Sequence, residues 1–168
     1  AILSKPNFAE SHRNLGNVLR GQDKLEEAAN SYNQAITLKL DFAEAHSDLG
    51  IALQEMGRLE EAVNSYNQAI IFKPDFAGAH SNLGVVLQEL GRLEESEANC
   101  RLAITLKPEY AEAHYNLGNT LKELNRLDEA IENYSEAIKW KPDFAEAYNN
   151  LGNTLRKRGM LKDAEKSY

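Results

Sequence analysis

Apolar and small residues recur along this chain with a period of 34 residues. Each repeat opens with an aromatic residue, and positions within a repeat are numbered from the alanine that follows it. The opening aromatic residues are Phe8, Phe42, Phe76, Tyr110 and Phe144. Small or apolar residues at positions 4, 7, 8, 11 and 14 follow the spacing of one helix face, and those at positions 20, 24, 27, 28 and 30 follow that of a second. The pattern predicts two amphipathic helices per repeat, A and B.

Residues that interrupt helices stand where both helices are predicted to end. Position 15 holds glycine, asparagine or aspartate, which tolerate the left-handed backbone conformation that often ends a helix. These residues are Asp23, Gly57, Gly91, Asn125 and Gly159. A Lys-Pro pair at positions 31 and 32 follows helix B, and proline neither donates a backbone hydrogen bond nor favours a helical residue before it. One repeat carries Leu40 in place of this proline. We therefore expect helix B to start near position 17 and to end before position 31.

A unit of this length and pattern resembles the tetratricopeptide repeat, and the resemblance covers the whole chain. Neither helix is apolar enough to be stable alone, so successive pairs must stack to bury a core. The resemblance implies an all-α fold, a right-handed α-solenoid. The expected segments are the tail of a preceding helix B at 1–7, four repeats at 8–41, 42–75, 76–109 and 110–143, and a partial fifth repeat at 144–168.

Glycine occupies position 8 in every repeat. In a helix interior it costs ~1 kcal/mol relative to alanine. Position 8 lies on the face that packs against the partner helix, where a missing side chain lets two backbones approach closely. This column is therefore predicted to be structural.

A polar stripe follows the opposite face of helix A, and asparagine recurs in it at positions 6 and 9. Glutamate, lysine and glutamine cost less in an exposed helix, so asparagine suggests a function, although repeat duplication could have copied a tolerated residue. A carboxamide offers one acceptor and two donors on an uncharged arm. In tetratricopeptide repeats this face lines a concave, peptide-binding groove. The candidate groove residues are Asn14, Asn17, Asp48, Asn82, Asn116, Asn119, Asn150 and Asn153.

The stripe also resembles the asparagine ladder in the repeat arm of O-linked N-acetylglucosamine transferases. That resemblance implies that Asn14, Asn82, Asn116 and Asn150 hold the backbone of a bound peptide. Asp48 departs from the pattern, because a carboxylate cannot donate to a peptide carbonyl.

A second groove chemistry of the family, the carboxylate clamp for an acidic C-terminus, is not predicted. Arg13 and Asn17 would fit it, but Asp48, Gly78 and Asn82 do not. The middle of the stripe carries only acidic charges, and its basic residues lie toward the ends. The acidic residues are Glu44, Asp48, Glu55 and Glu89. We therefore expect a protein or extended-peptide partner that is neutral or modestly basic in the middle.

Composition excludes several other classes of partner. The formal charge of −7 argues against a nucleic-acid binder, which needs lysine and arginine to neutralise phosphates. No apolar run approaches the ~20 residues of a membrane span, and the first residues do not form a secretory signal. The single cysteine, Cys100, fits a reducing compartment. We expect no nucleic-acid or membrane partner and a cytoplasmic location.

No group of residues suggests catalysis, a metal site or a cofactor. The four histidines recur at one position of successive repeats and cannot converge on one metal, so they are predicted to lie at the edge of the core. Cys100 replaces a tyrosine of its column and is predicted to be a small buried filler. Trp140 shares a column with leucine and phenylalanine and is predicted to pack in the core. The chain is expected not to be an enzyme.

Three functions remain open: a free scaffold or adaptor, the substrate-recognition arm of a larger enzyme such as a glycosyltransferase, and a self-assembling array. Both ends of the chain fall within a predicted helix B and carry apolar residues such as Ile2, Leu3, Leu161 and Tyr168. We expect these truncated ends to associate weakly, head to tail, between copies.

Overall fold

The computed structural model describes residues 5–159, and every regular element in that range is an α-helix. The all-α prediction is confirmed. Helices A are α1 (Lys5–Gly21), α3 (Ala43–Glu55), α5 (Ala77–Glu89), α7 (Ala111–Glu123) and α9 (Ala145–Arg158). Helices B are α2 (Leu25–Leu38), α4 (Leu59–Phe72), α6 (Leu93–Leu106) and α8 (Leu127–Trp140).

The helix boundaries agree with the interruptions expected from the sequence. The residue at position 15 has a positive φ in every repeat, for example 61° at Asp23 and 73° at Gly57. Each described helix B starts at position 17 and ends at position 30. This holds even before Leu40, where the proline is missing, because the Lys39 N–H still closes the last turn on the Ala35 carbonyl at 3.0 Å. Proline therefore accompanies this stop without being required for it.

The first helix begins earlier than expected. Lys5, Pro6 and Asn7 belong to α1 rather than to the tail of a preceding helix B. Proline is compatible with the first turn of a helix, where its missing N–H would have no partner. Residues 1–4 and 160–168, which include most residues of the predicted head-to-tail contact, lie outside the described part of the chain.

The described part of the chain forms two compact bodies, divided between residues 86 and 87. In the first body α1 packs on α2, α2 on α3, and α3 on α4. In the second body α6 packs on α7, α7 on α8, and α8 on α9. Each body buries small residues around aromatic ones: Ala35 and Ala45 surround Phe42 in the first, and Ala137 and Ala147 surround Phe144 in the second.

The position-8 glycines face the ring of the position-24 tyrosine in the same repeat. A Cβ built on Gly16, Gly50 or Gly118 would lie 2.5, 2.8 or 2.7 Å from a carbon of that ring. Such distances are far shorter than van der Waals contact. The ring fills the space that glycine leaves, which confirms the structural role predicted for these three glycines.

The position-4 histidines lie at the edge of the core, as predicted, and they also hold the loop that precedes them. His46, His80 and His114 are at most 8% exposed. Their Nε2 atoms lie 3.0, 3.2 and 2.9 Å from the carbonyl oxygens of Leu40, Pro74 and Pro108. Because a carbonyl only accepts, each Nε2 carries the hydrogen. The sequence pattern did not reveal this contact.

The prediction for Trp140 is wrong. Its side chain is 46% exposed, and Phe72 at the same position is 41% exposed. Trp140 lies under the Lys139 ammonium, 5.1 Å from the ring centre, and Phe72 stacks on His46. Position 30 is the last residue of helix B, so only one side of its ring can meet the core.

Candidate functional site

Each body carries an asparagine face, defined as the candidate residues on its own helices A. In the first body it comprises Asn14, Asn17, Asp48 and Asn82, and in the second Asn116, Asn119, Asn150 and Asn153. Asn14 is exposed, and the other seven are partly buried. The sequence therefore placed all eight outside the closed core. Their surroundings differ from repeat to repeat.

In the second body two asparagines from neighbouring helices A bind each other. Asn150 Nδ2 on α9 donates to Asn119 Oδ1 on α7 at 2.9 Å and to the Tyr115 hydroxyl at 3.0 Å. Asn119 Oδ1 accepts a second bond, from the Tyr134 hydroxyl at 2.8 Å. The two carboxamides and two phenols form one network, called the Asn119–Asn150 rung below.

The tyrosines of this rung are held by packing. Tyr134 is fully buried against Leu117 and Leu121, and burial raises its pKa, so its hydroxyl remains a hydrogen-bond donor at neutral pH. Tyr115 lies 4.8 Å from the Phe144 ring, between centroids. Because both phenols are fixed by the core, the asparagines bound to them are fixed as well.

The rung leaves polar atoms of both asparagines available. The bonds described above use both Nδ2 hydrogens of Asn150 and both lone pairs of Asn119 Oδ1. Within the described range, Asn119 Nδ2 and Asn150 Oδ1 have no bonded partner. One donor group and one acceptor are what a peptide group needs for two hydrogen bonds.

In the first body the equivalent contact is an ion pair. Arg13 Nε donates to Asp48 Oδ2 at 2.6 Å, and these residues occupy the same two positions as Tyr115 and Asn150. Asn17 accepts from the Tyr32 hydroxyl at 2.8 Å, as Asn119 does from Tyr134. The Asp48 carboxylate is thus engaged by Arg13, which supports the inference that it does not serve as a two-way contact to a peptide.

Asn14 lines an open cleft beside this ion pair. The cleft measures about 410 Å³ and has Phe42 as its apolar wall. Its remaining lining residues are Glu10, Arg13, Asn14, Lys39 and Glu44. The Lys39 ammonium lies 4.7 Å from the centre of the Phe42 ring and covers part of it. Neither Asn14 nor Asn82 has a side-chain hydrogen bond to another residue of the described range.

The remaining two asparagines have local partners. Asn116 accepts the Thr120 hydroxyl at its backbone carbonyl, at 3.1 Å. Asn153 donates to Asn149 and accepts from Arg156, both at 3.3 Å. Each of these three bonds lies within a single helix, α7 for Asn116 and α9 for Asn153.

The acidic residues predicted to attract a basic partner are largely paired. In the first body Arg13 pairs with Asp48, Arg20 with Glu55 at 3.2 Å, and Lys73 with Glu44 at 2.9 Å. Partial burial opposes the ionisation of Glu44, but the hydrogen bond and charge of Lys73, a backbone hydrogen bond and the charge of Arg13 together lower its pKa. These three carboxylates are therefore neutralised, and the reason for expecting a basic segment no longer applies to them.

The described residues offer no support for catalysis or metal binding. No three histidine, cysteine, aspartate or glutamate side chains in that range are placed to hold a metal ion. Cys100 is fully buried, and burial raises its thiol pKa to about 12, so it is not a nucleophile near neutral pH. Within the same range, every helix is too short or too polar to cross a bilayer.

Comparisons with known proteins identify the repeat. A family profile described as TPR repeat matches residues 16–57, 53–91 and 118–159. Two profiles described as tetratricopeptide repeat match residues 99–132 and 77–110. Among curated proteins no sequence matches the chain.

Several solved structures share the fold. A crystal structure of MamA is 25% identical, with a TM-score of 0.81, and the match covers 90% of this chain and 89% of that one. PilF of Pseudomonas aeruginosa is 21% identical, with a TM-score of 0.90 and coverage of 98% and 75%. YrrB, described as a TPR protein with an unusual peptide-binding site, is 24% identical, with a TM-score of 0.73 and coverage of 93% and 80%.

Proposed function

Because this chain belongs to the tetratricopeptide repeat family, we propose that it is a non-catalytic scaffold that binds an extended segment of a partner protein along the asparagine face. The Asn119–Asn150 rung is the observation that carries this proposal. It leaves the Nδ2 group of Asn119 and the Oδ1 atom of Asn150 without a hydrogen-bond partner in the described range.

Recognition of this kind reads the peptide backbone rather than its side chains. Backbone groups are the same in every sequence, so several repeats can bind successive peptide groups of one segment. The internal bonds to Tyr115 and Tyr134 already fix the asparagine side chains. Binding therefore loses less side-chain entropy, which otherwise costs ~0.5–1.5 kcal/mol per ordered side chain.

Charge favours a neutral segment. The carboxylates of Glu44, Asp48 and Glu55 are each matched by a cation of the same body. A strongly basic segment would have to compete with these cations, and a strongly acidic one would meet the same carboxylates. An uncharged, extended segment has neither conflict.

A second candidate function is the substrate-holding arm of a larger enzyme, such as a glycosyltransferase. The recurrence of asparagine at position 6, in four of five repeats, favours it. Both functions use the same face and the same backbone contacts. They differ in the bound segments, because an arm would select segments that share an acceptor residue such as serine or threonine.

The test starts from a segment selected out of a random peptide library displayed on phage. If the protein recognises the peptide backbone, alanine substitution along the selected peptide should change the affinity little. N-methylation of successive peptide nitrogens should weaken it about two- to tenfold at each contacted group, since one net hydrogen bond is worth ~0.5–1.5 kcal/mol.

Protein variants locate the contact. Asn14→Ala and Asn82→Ala should weaken binding without lowering stability, because neither side chain bonds within the described range. Asn99→Ala is the matched control, since Asn99 lies on helix B and donates to the Glu95 carbonyl. A peptide whose affinity follows its side chains, or equal binding by all three variants, would contradict the proposal.

A further inference from the structure

The surface between successive helices B differs between the two bodies at equivalent positions. In the second body Glu97 and Arg101 on α6 face Arg126, the residue before α8, and Glu129 on α8. Arg126 Nη1 donates to Glu97 at 2.5 Å, while its Nε and Nη2 bind both oxygens of Glu129 at 2.7 and 2.6 Å. Arg101 binds Glu97 at 2.8 Å and Glu129 at 3.2 Å. Two arginines and two glutamates therefore form a closed, neutral ring.

The arginines of the ring stabilise a charged carboxylate at the position of Glu97. The Glu97 side chain is only 17% exposed. Burial opposes its ionisation, but the hydrogen bonds and charges of Arg101 and Arg126 outweigh burial and lower the pKa of Glu97. The carboxylate is charged and held between two guanidinium groups.

In the first body half of this ring is missing. Arg58, the residue before α4, and Glu61 on α4 repeat the pair of Arg126 and Glu129, with bonds of 2.7 and 2.6 Å. Their neighbours on α2, at the positions of Glu97 and Arg101, are Ala29 and Asn33. A small side chain and a short one leave an open cleft of about 440 Å³ between α2 and α4.

The cleft has an apolar floor and a polar rim. Leu49 and Leu53 form the floor and are at most 8% exposed. The rim consists of Glu26, Asn30, Asn33, Arg58, Glu61 and Asn64. None of these residues belongs to the asparagine face, because the rim is built from helices B and the residue that precedes α4.

Arg58 lines this cleft, and one nitrogen of its guanidinium group is available for a ligand. Its Nε and Nη2 bind Glu61, as in the complete ring, but Nη1 has no carboxylate partner among the described residues. Glu26 lies close enough to stabilise the Arg58 charge. With two glutamates and one arginine, the rim has one excess negative charge. An anion alone would therefore be disfavoured, whereas a ligand with both a carboxylate and a guanidinium matches the rim.

We propose that the cleft between α2 and α4 binds a helical segment of a partner protein that presents a glutamate and an arginine one turn apart. The glutamate binds Arg58 Nη1, as Glu97 binds Arg126, and the arginine binds Glu61, as Arg101 binds Glu129. The second body provides the template for each contact. This site is a second docking surface, independent of the backbone-binding face.

The probe is an acetylated, amidated alanine-based helical peptide with glutamate and arginine four residues apart. The reference peptide has glutamine at both places. Titration is followed by NMR, through the side-chain amides of Asn30, Asn33 and Asn64 and the Hε of Arg58. We expect saturable shifts with the first peptide and at least tenfold weaker binding of the second.

Variants separate this site from general surface charge. Arg58→Gln should abolish the saturable shifts. Arg92→Gln is the matched control, because Arg92 makes the same two bonds to Glu95 on α6, at 2.8 and 2.7 Å, and should leave binding unchanged.

A variant whose own side chains fill the cleft gives a second, independent test. The double variant Ala29→Glu/Asn33→Arg copies the complete ring and should block the peptide. Equal shifts with both peptides, no saturable shifts with either, or unchanged binding by Arg58→Gln would overturn the proposal, whatever the stability of the double variant.

Discussion

The close contact between Gly118 and Tyr134 leads to a quantitative prediction. An added Cβ at Gly118 would lie 2.7, 2.8 and 3.1 Å from Cε1, Cδ1 and Cζ of the Tyr134 ring. The ring is fully buried, and its hydroxyl is held by Asn119 at 2.8 Å, so it cannot rotate away. Overpacking of this kind costs ~1–3 kcal/mol, against a gain of ~1 kcal/mol in helix propensity. Gly118→Ala should therefore lower the free energy of unfolding, by up to about 2 kcal/mol.

Urea unfolding followed by circular dichroism measures this change. Gly21→Ala is the control, because nothing lies within 4 Å of an added Cβ there, and it should be neutral or slightly stabilising. In a Tyr134→Leu background the loss on Gly118→Ala should disappear, since the ring that clashes is gone. An alanine at position 118 that is as stable as the wild type, or a loss that persists without the ring, would refute the steric explanation.

Three further predictions concern single side chains. Tyr134→Phe removes the bond to Asn119 and should cost ~0.5–1.5 kcal/mol of unfolding free energy in the same assay. Cys100 should resist a thiol reagent at pH 8 in the folded protein and react only on unfolding, because burial raises its pKa to about 12; modification without unfolding would contradict this. Leu15 is 48% exposed on α1, so weak self-association that depends on concentration should appear in sedimentation velocity and decrease in Leu15→Glu; a strictly monomeric wild type at high concentration would exclude it.

The helix pattern could be predicted from the sequence because it depends on contacts that every repeat makes. The residue at position 15 adopts the left-handed backbone conformation where helix A ends, and even the non-glycine residues Asp23 and Asn125 have a positive φ there. Position 8 faces the tyrosine ring in each repeat for which the contact is described. A requirement repeated at a fixed spacing is visible in one sequence.

The partners of the asparagines could not be predicted in the same way. The bonds between Arg13 and Asp48 and between Tyr115 and Asn150 depend on the lateral offset between neighbouring helices A. The helix pattern of the sequence carries no information about this offset. A signal was nevertheless present, because the two positions change together from arginine and aspartate to tyrosine and asparagine. The cleft beside Arg58 was missed for a related reason, since its volume arises from Ala29 and Asn33 being small.

The exposure of Trp140 shows a different limit of pattern reading. A column of large apolar residues indicates core only if the side chains have neighbours on every side. Position 30 ends helix B, so Phe72 and Trp140 cover the core with one side and remain over 40% exposed. Their cationic or aromatic neighbours, Lys139 and His46, complete part of the packing.

The ion pair of Asp48 gives a prediction about pH. The Asp48 side chain is 15% exposed, and burial raises its pKa more than the hydrogen bond and charge of Arg13 lower it; Arg20 and Glu44 exert smaller, opposing effects. A carboxyl group whose pKa is raised in the folded state binds its proton more tightly there than in the unfolded chain. Its contribution to stability is therefore complete below the unfolded pKa, ~3.9, and is lost as the pH rises through the folded pKa.

Asp48 holds position 6 of its repeat, and the other four repeats have asparagine there, which cannot titrate. The stability of Asp48→Asn relative to the wild type should therefore increase as the pH rises from about 3 to 7. Arg13 loses its partner in this variant, but its side chain is 30% exposed and remains hydrated. Unfolding free energies measured across this pH range test the reasoning, with Asp128→Asn as a control, because hydrogen bonding to Arg158 lowers the pKa of Asp128 and its replacement should change stability in the opposite direction. If the unfolding free energy of the wild type instead rises relative to that of Asp48→Asn as the pH rises, the bridge to Arg13, rather than burial, controls this carboxylate.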